Sequence, residues 1–216
     1  MHDFLSRDFE VNAIELPGRG NRMQEALLSD FDAAAEDLLA QIVRQLSSME
    51  FILYGHSMGA SLALRITSLL EKMNRPPVCL IVSGNAGPGV RDPLKRHLMN
   101  KHELIGELKK LGGTADELFE QEELFALYEP ILRADFRVTE INNLSEEPPV
   151  NVPVSALMGD TEDCVDRIMN WERFTTSKQF DYRIFPGDHF FIYKYPAEIA
   201  HLIKTKYTRL SSLKYS

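Results

Sequence analysis

The sequence predicts an α/β domain on a mainly parallel sheet, with helices on both faces and one helical insertion. Three observations carry this expectation. Short apolar runs alternate with longer amphipathic stretches along the 216 residues, which is the rhythm of strand–helix–strand units. Most runs are continuous rather than alternating, as expected of strands buried on both faces. A composition of 44% hydrophobic and 26% charged residues supplies one packed core and argues against disorder.

The strands are expected at Phe9–Glu15, Phe51–Tyr54, Val78–Ser83, Val152–Met158 and Tyr182–Phe185. The first helix follows Ser29, an N-cap with Asp32 three residues on, and puts Leu38, Leu39, Ile42, Val43 and Leu46 on one face. A second stripe, Leu62, Ile66, Leu69 and Leu70, is stopped by Asn74-Arg75-Pro76-Pro77. Pro196 opens a terminal helix carrying Ile199, Leu202, Ile203 and Leu210. Between Ser83 and Val152 there is no strand pattern, only helical stripes such as Leu104, Ile105, Leu108 and Leu111. Gly112-Gly113 should end that helix and Pro130 should interrupt the next. The interval is read as a helical lid insertion at about 88–148 within a single domain spanning 1–216.

Charge and cysteine content narrow the function. Lys and Arg number 24 against 32 Asp and Glu, a net charge of −8, the wrong sign for displacing phosphate counterions. Cys79 and Cys164 cannot build a disulfide framework. No apolar stretch approaches the roughly 20 residues of a membrane span. The first ten residues lack the basic-then-apolar pattern of a signal peptide. No nucleic acid, no membrane, a cytoplasmic location and a monomer are the expectations.

The most specific short motif is Gly55-His56-Ser57-Met58-Gly59, a G-x-S-x-G pattern between the strand Phe51–Tyr54 and the Leu62–Leu70 helix. A sharp strand-to-helix turn strains Ser57 and exposes its hydroxyl, with small residues at Gly55 and Gly59 letting the turn close. The helix N-terminus then faces a developing oxyanion, to which the Met58 N–H can donate. A serine hydroxyl needs a base. His189 follows the last strand and the turn Pro186-Gly187-Asp188. His97, His102 and His201 lie in helical patterns, His2 is terminal, and His56 is read as packing or hydrogen-bonding rather than acting as the base. The base needs a carboxylate, and Gly159-Asp160-Thr161-Glu162-Asp163 after the fourth strand offers three. The order serine, acid, histidine is that of the α/β-hydrolase fold. Spacing leaves Asp160, Glu162 and Asp163 open. There is no H-E-x-x-H or paired-Cys spacing, so no metal and no cofactor are expected.

With these residues in place, nearly the whole chain resembles the type II thioesterases of nonribosomal peptide and polyketide pathways. The matching segments are Glu15-Leu16-Pro17-Gly18-Arg19-Gly20, the serine elbow Tyr54–Gly59, Leu111-Gly112-Gly113-Thr114, Pro130-Ile131-Leu132-Arg133-Ala134-Asp135-Phe136 and Phe185–Phe191. The resemblance implies hydrolysis of stalled or misprimed acyl groups from the phosphopantetheine arm of carrier proteins, through a serine acyl-enzyme. Members of that family begin with a further strand and a Gly-Gly loop that supplies a second oxyanion donor. Neither precedes Phe9–Glu15 here, so that donor is expected to be missing. The family also places Asp about three residues after the strand-ending glycine. Glu162 holds that slot and Asp163 follows, so residue type ranks Asp163 first, Glu162 second and Asp160 third.

Two rivals share the fold: a generic carboxylesterase or lipase, and a non-catalytic binding module. One surface expectation concerns the partner. Arg91, Lys95, Arg96 and Lys101, opposed only by Asp92, form a candidate basic patch for an acidic carrier protein, with His102 also near the channel mouth.

Overall fold

A computed structural model describes residues 1–90, 94–113 and 119–214. Strands β1 (Ile52–His56), β2 (Cys79–Ser83), β3 (Val154–Gly159) and β4 (Phe180–Phe185) form one parallel sheet in the order β1-β2-β3-β4. The helices are α1 (His2–Leu5), α2 (Phe31–Gln45), α3 (Met58–Lys72), α4 (Lys101–Leu111), α5 (Glu122–Glu140), α6 (Phe191–Lys194) and α7 (Pro196–Lys214).

The central strands read as unbroken apolar runs because both their faces are covered. On β2, Leu80 and Val82 join Leu62, Leu64 and Ile66 of α3 and Ala34 and Ala35 of α2. Cys79 and Ile81, pointing the other way, join Ile199, Ala200 and Ile203 of α7 and Phe191 of α6. Each large side chain so buried contributes roughly 1.5–3 kcal/mol. Among the described residues no helix is long and apolar enough to cross a membrane.

Three local expectations need correction. Phe9–Glu15 is not a strand: among the described residues no partner pairs with it. Its apolar side chains pack individually instead, Phe9 edge-on against Tyr207 at 5.1 Å and Ile14 against the α2–α3 side. The cap of α2 is Asp30, whose carboxylate accepts from the Ala33 N–H at 2.9 Å, and not Ser29. Pro130 lies inside α5 without ending it. It sits on the exposed side, where the Ala126 carbonyl that loses its donor is left to water.

The segment between β2 and β3 holds α4 and α5, which share a small core of Leu104, Leu108 and Phe125. Asn100 and Glu103 close a reciprocal cap at the start of α4, and Gly112 at φ 76° ends it. Two arginines tie this segment down. Arg133 donates to the carbonyls of His97 and Met99 at 3.1 and 2.7 Å. Arg19 grips Asp135 with both guanidinium nitrogens at 2.7 Å, so the Pro17–Gly20 turn and the Arg133–Phe136 motif meet as one joint. With both side chains about a quarter exposed, Asp135→Ala should cost about 1 kcal/mol, a fall in Tm of roughly 2–4 °C. An unchanged melting curve would deny the joint any weight.

Candidate active site

Four loops that follow the carboxyl ends of β1, β2, β3 and β4 converge on one cavity of about 890 Å³. In a parallel sheet all strand ends of one polarity lie on one edge, so residues far apart in sequence gather there. Ser57 arrives from β1, Gly84 from β2, Glu162 and Asp163 from β3, and Asp188 and His189 from β4.

Ser57 stands between β1 and α3 at φ 54°, ψ −119°, a left-handed backbone that an L-residue adopts only under strain. Its N–H donates to the Ser83 carbonyl at 2.8 Å, which fastens the turn to β2. Gly55 makes the turn possible: a Cβ there would lie 2.1 Å from the Gly59 carbonyl oxygen. Gly59 has no such constraint, since its Cβ would meet nothing within 4 Å. The two glycines are therefore not equivalent, contrary to the sequence expectation. Gly55→Ala should destabilise the fold by about 3 kcal/mol, because backbone and not a side chain must move. Gly59→Ala should be mild. Equal melting temperatures for the two variants would refute the distinction.

The acid that meets His189 is Glu162. Its Oε2 lies 2.7 Å from His189 Nδ1, and its Oε1 accepts from the Gly159 N–H at 2.7 Å. The glutamate side chain is 6% exposed and the imidazole 17%, so the pair sits largely out of water. Asp163, ranked first by residue type, lines the cavity but makes no hydrogen bond to His189. The extra methylene of glutamate lets one carboxylate span from the strand end to the imidazole. Asp160 braces the histidine loop instead, its Oδ1 accepting from the Gly187 N–H at 2.8 Å. The close approach of that loop requires Gly159, whose Cβ would fall 2.4 Å from the Gly187 oxygen.

Ser57 and His189 border the same cavity with no direct hydrogen bond between their side chains, a looseness common in unliganded sites. Behind His189 lies His56, with ring centroids 4.8 Å apart. His56 Nδ1 is 2.8 Å from Ser83 Oγ, which is itself 2.8 Å from the Tyr54 hydroxyl. Burial, with a smaller contribution from the neighbouring His189, pushes the His56 pKa down to about 3. His56 is thus neutral in the fold at neutral pH. When unfolded it binds a proton below its ordinary pKa of about 6.5, so its contribution to stability is complete above that pH. It is lost as pH falls toward 3, at up to about 1.4 kcal/mol per pH unit. Urea titrations between pH 7 and 4 should show this slope in the parent and a shallower one in His56→Asn. Parallel slopes would count against a buried neutral His56.

The loop after β2 brings residues that sequence reasoning missed, although Gly84-Asn85-Ala86-Gly87-Pro88-Gly89 at the end of a parallel strand is a legible sign of one. Gly84, at φ 59°, comes so near the imidazoles that a Cβ would lie 2.5 Å from His56 and 3.0 Å from His189. Asn85 donates to the Ser57 carbonyl at 3.1 Å, and Trp171 Nε1 donates to the Asn85 carbonyl at 2.7 Å. Asn170 holds the Pro88 carbonyl at 2.9 Å. The cavity is also lined by Arg96 from the turn before α4, Glu107 of α4, and Phe136 and Glu140 of α5.

The expected basic patch does not form as one surface. Arg91 and Asp92 lie outside the described residues. Arg96 turns inward to Glu107 and Phe136. Lys101 pairs with Glu122 at 3.0 Å and lies over the Phe125 ring. Lys95 and His102 are exposed. The interval from Arg96 to Leu98 is a single 3₁₀ turn, so side chains four apart do not line up as on a helix.

A family model described as a thioesterase domain matches residues 1–207. The chain is 32% identical over 197 residues to the gramicidin S biosynthesis protein GrsT of Aneurinibacillus migulanus, covering 88% of this chain and 75% of that one. Among solved structures, ClbQ from the colibactin NRPS/PKS pathway superposes with a TM-score of 0.83 at 26% identity, covering 93% of this chain and 86% of ClbQ. The type II thioesterase BorB from the borrelidin biosynthetic cluster gives a TM-score of 0.80 at 31% identity, over 90% of this chain and 80% of BorB.

Proposed function

The chain belongs to the thioesterase domain family, and on that premise we propose that it clears acyl groups from the phosphopantetheine arms of carrier proteins in nonribosomal peptide or polyketide synthesis. It is a type II thioesterase, a serine hydrolase that edits rather than releases the finished product. The observation that carries the catalytic assignment is Ser57 held at φ 54° on a strand–helix turn, in one cavity with the Glu162–His189 pair. We assign Ser57 as nucleophile, His189 as general base and acid, and Glu162 as the orienting carboxylate. The Met58 N–H, at the head of α3, is our oxyanion donor.

The chemistry follows from these roles. Glu162 accepts a hydrogen bond from His189 Nδ1–H, which leaves the lone pair on Nε2 to take the Ser57 proton. Ser57 Oγ attacks the thioester carbonyl, and charge gathers on its oxygen. The N-terminal end of α3 stabilises that charge with its free N–H groups and its dipole. The tetrahedral adduct collapses, the C–S bond breaks, and the proton on His189 passes to the departing pantetheine sulfur, which leaves as the thiol and returns the imidazole to its neutral form. Water then gives its proton to His189 and attacks the acyl-serine, which restores the enzyme and frees the acid. Helices α4 and α5 act as the lid over this channel. Intact-protein mass spectrometry of acyl-loaded carrier proteins tests the proposal: the acyl mass should disappear from the carrier with Ser57 present and persist with alanine in its place. Persistence with the parent enzyme across a panel of acyl groups would refute it.

A further inference from the structure

Helix α4 turns Glu107 and Lys110, together with Leu111, to the cavity. Leu104 and Leu108 pack with Phe125 of α5, and these three do not line the cavity. Glu107, Lys110 and Leu111 do line it. Arg96 joins them, its Nε 3.4 Å from Glu107 Oε2 and its guanidinium 5.7 Å from the centre of the Phe136 ring. Lys110 Nζ reaches Glu107 Oε1 at 2.6 Å. Glu140 completes the wall: it accepts from the Arg96 N–H at 2.8 Å and contacts His97 Nδ1. The Arg96 and Glu107 side chains are each only 12% exposed. These charges are held nearly out of bulk water and yet border the channel.

The wall discriminates between kinds of acyl group. An aliphatic chain gains with each methylene it buries against apolar atoms. Laid across an ion pair it gains less, and it strips the pair of its remaining water with nothing to replace it. A hydroxyl, amine or amide replaces that water with hydrogen bonds. Val90, Leu94, Leu111, Phe136, Leu144 and Met158 supply apolar surface elsewhere in the cavity. We propose that Arg96, Glu107 and Glu140 make this cavity select acyl groups that carry a polar function. Unbranched chains of about eight or more carbons are disfavoured. The inference rests on the thioesterase reading, which fails by a different result.

The test measures kcat/KM for S-alanyl-, S-(3-hydroxybutyryl)- and S-decanoyl-pantetheine. The parent enzyme should favour the two polar substrates over decanoyl by at least about tenfold. The double variant Arg96→Met with Glu107→Leu removes both charges together, so neither is left buried alone. It should raise kcat/KM for the decanoyl substrate about tenfold and lower it for the polar pair. A parent enzyme that prefers decanoyl overturns the inference, as does a folded double variant with the parent ratios. If the double variant does not fold, the parent ratios alone decide. Failure of the parent to hydrolyse any of the three would strike at the thioesterase assignment itself.

Discussion

Ser57→Ala should lower kcat for thioester hydrolysis by roughly a millionfold, leaving only what binding and the oxyanion donor can do. The fold should be unharmed. Alanine keeps the Cβ, so the backbone at φ 54° is as strained as before, and the Ser57 hydroxyl makes no hydrogen bond that the elbow depends on: the turn is fastened through the Ser57 N–H and the Ser83 carbonyl. Ser57→Gly should be equally inactive and slightly more stable, by about 1 kcal/mol, because glycine adopts positive φ without strain. The pair of variants separates chemistry from folding. An alanine variant with a tenth of the parent rate would move the nucleophile elsewhere.

The second large effect is expected at Glu162. In Glu162→Gln one amide oxygen can still accept from the Gly159 N–H, but the position facing His189 then presents an NH₂ group. That group donates to Nδ1 and forces the imidazole proton onto Nε2, the atom that must take the proton of Ser57. The result should be a fall in kcat of about 10⁴-fold with little change in KM. Asp163→Asn should stay within a few-fold of the parent, since Asp163 borders the cavity without touching His189. Glu162→Asp gives a further arm. Shortened by one methylene, the carboxylate cannot keep both the Gly159 and His189 contacts, so activity should fall between the parent and the Gln variant. If Asp163→Asn is the crippling change, the roles of the two acids are exchanged.

Much of this was legible in the chain. The continuous apolar runs became β2 and β3 because a strand covered on both faces has no polar side to alternate with, and β2 shows both coverings, whereas β4 leaves Tyr182, Arg183 and Ile184 exposed. Helix ends were legible wherever they depended on local chemistry: Gly112 at positive φ, Pro196 at the first turn of α7, and the stop after Lys72. The elbow and the histidine loop were legible for the same reason, since a strained serine between a strand and a helix has a short-range signature. What failed locally failed where a neighbour intervened. Phe9–Glu15 has the composition of a strand and no partner to pair with among the described residues. Pro130 should break a helix, yet it rests on the solvent side of α5, held by Phe125, Ala134 and Val138 beneath.

The sequence alone determined that a serine, a histidine and one of three acids gather at the carboxyl edge of a parallel sheet, because strand order and loop position follow from periodicity and chain order. Only the tertiary structure shows which acid meets His189. Glu162 and Asp163 are neighbours in the chain, and no local rule distinguishes them. The choice depends on how far β3 and the histidine loop stand apart, a distance fixed by the contact of Gly159 with Gly187 and by the brace from Asp160. The same holds for Arg96. In sequence it belongs to a run of basic residues, which normally face water, but the 3₁₀ turn before α4 swings it inward to Glu107 and Phe136. The direction of a side chain relative to a cavity is set by elements more than ten residues away, and periodicity carries no information at that range.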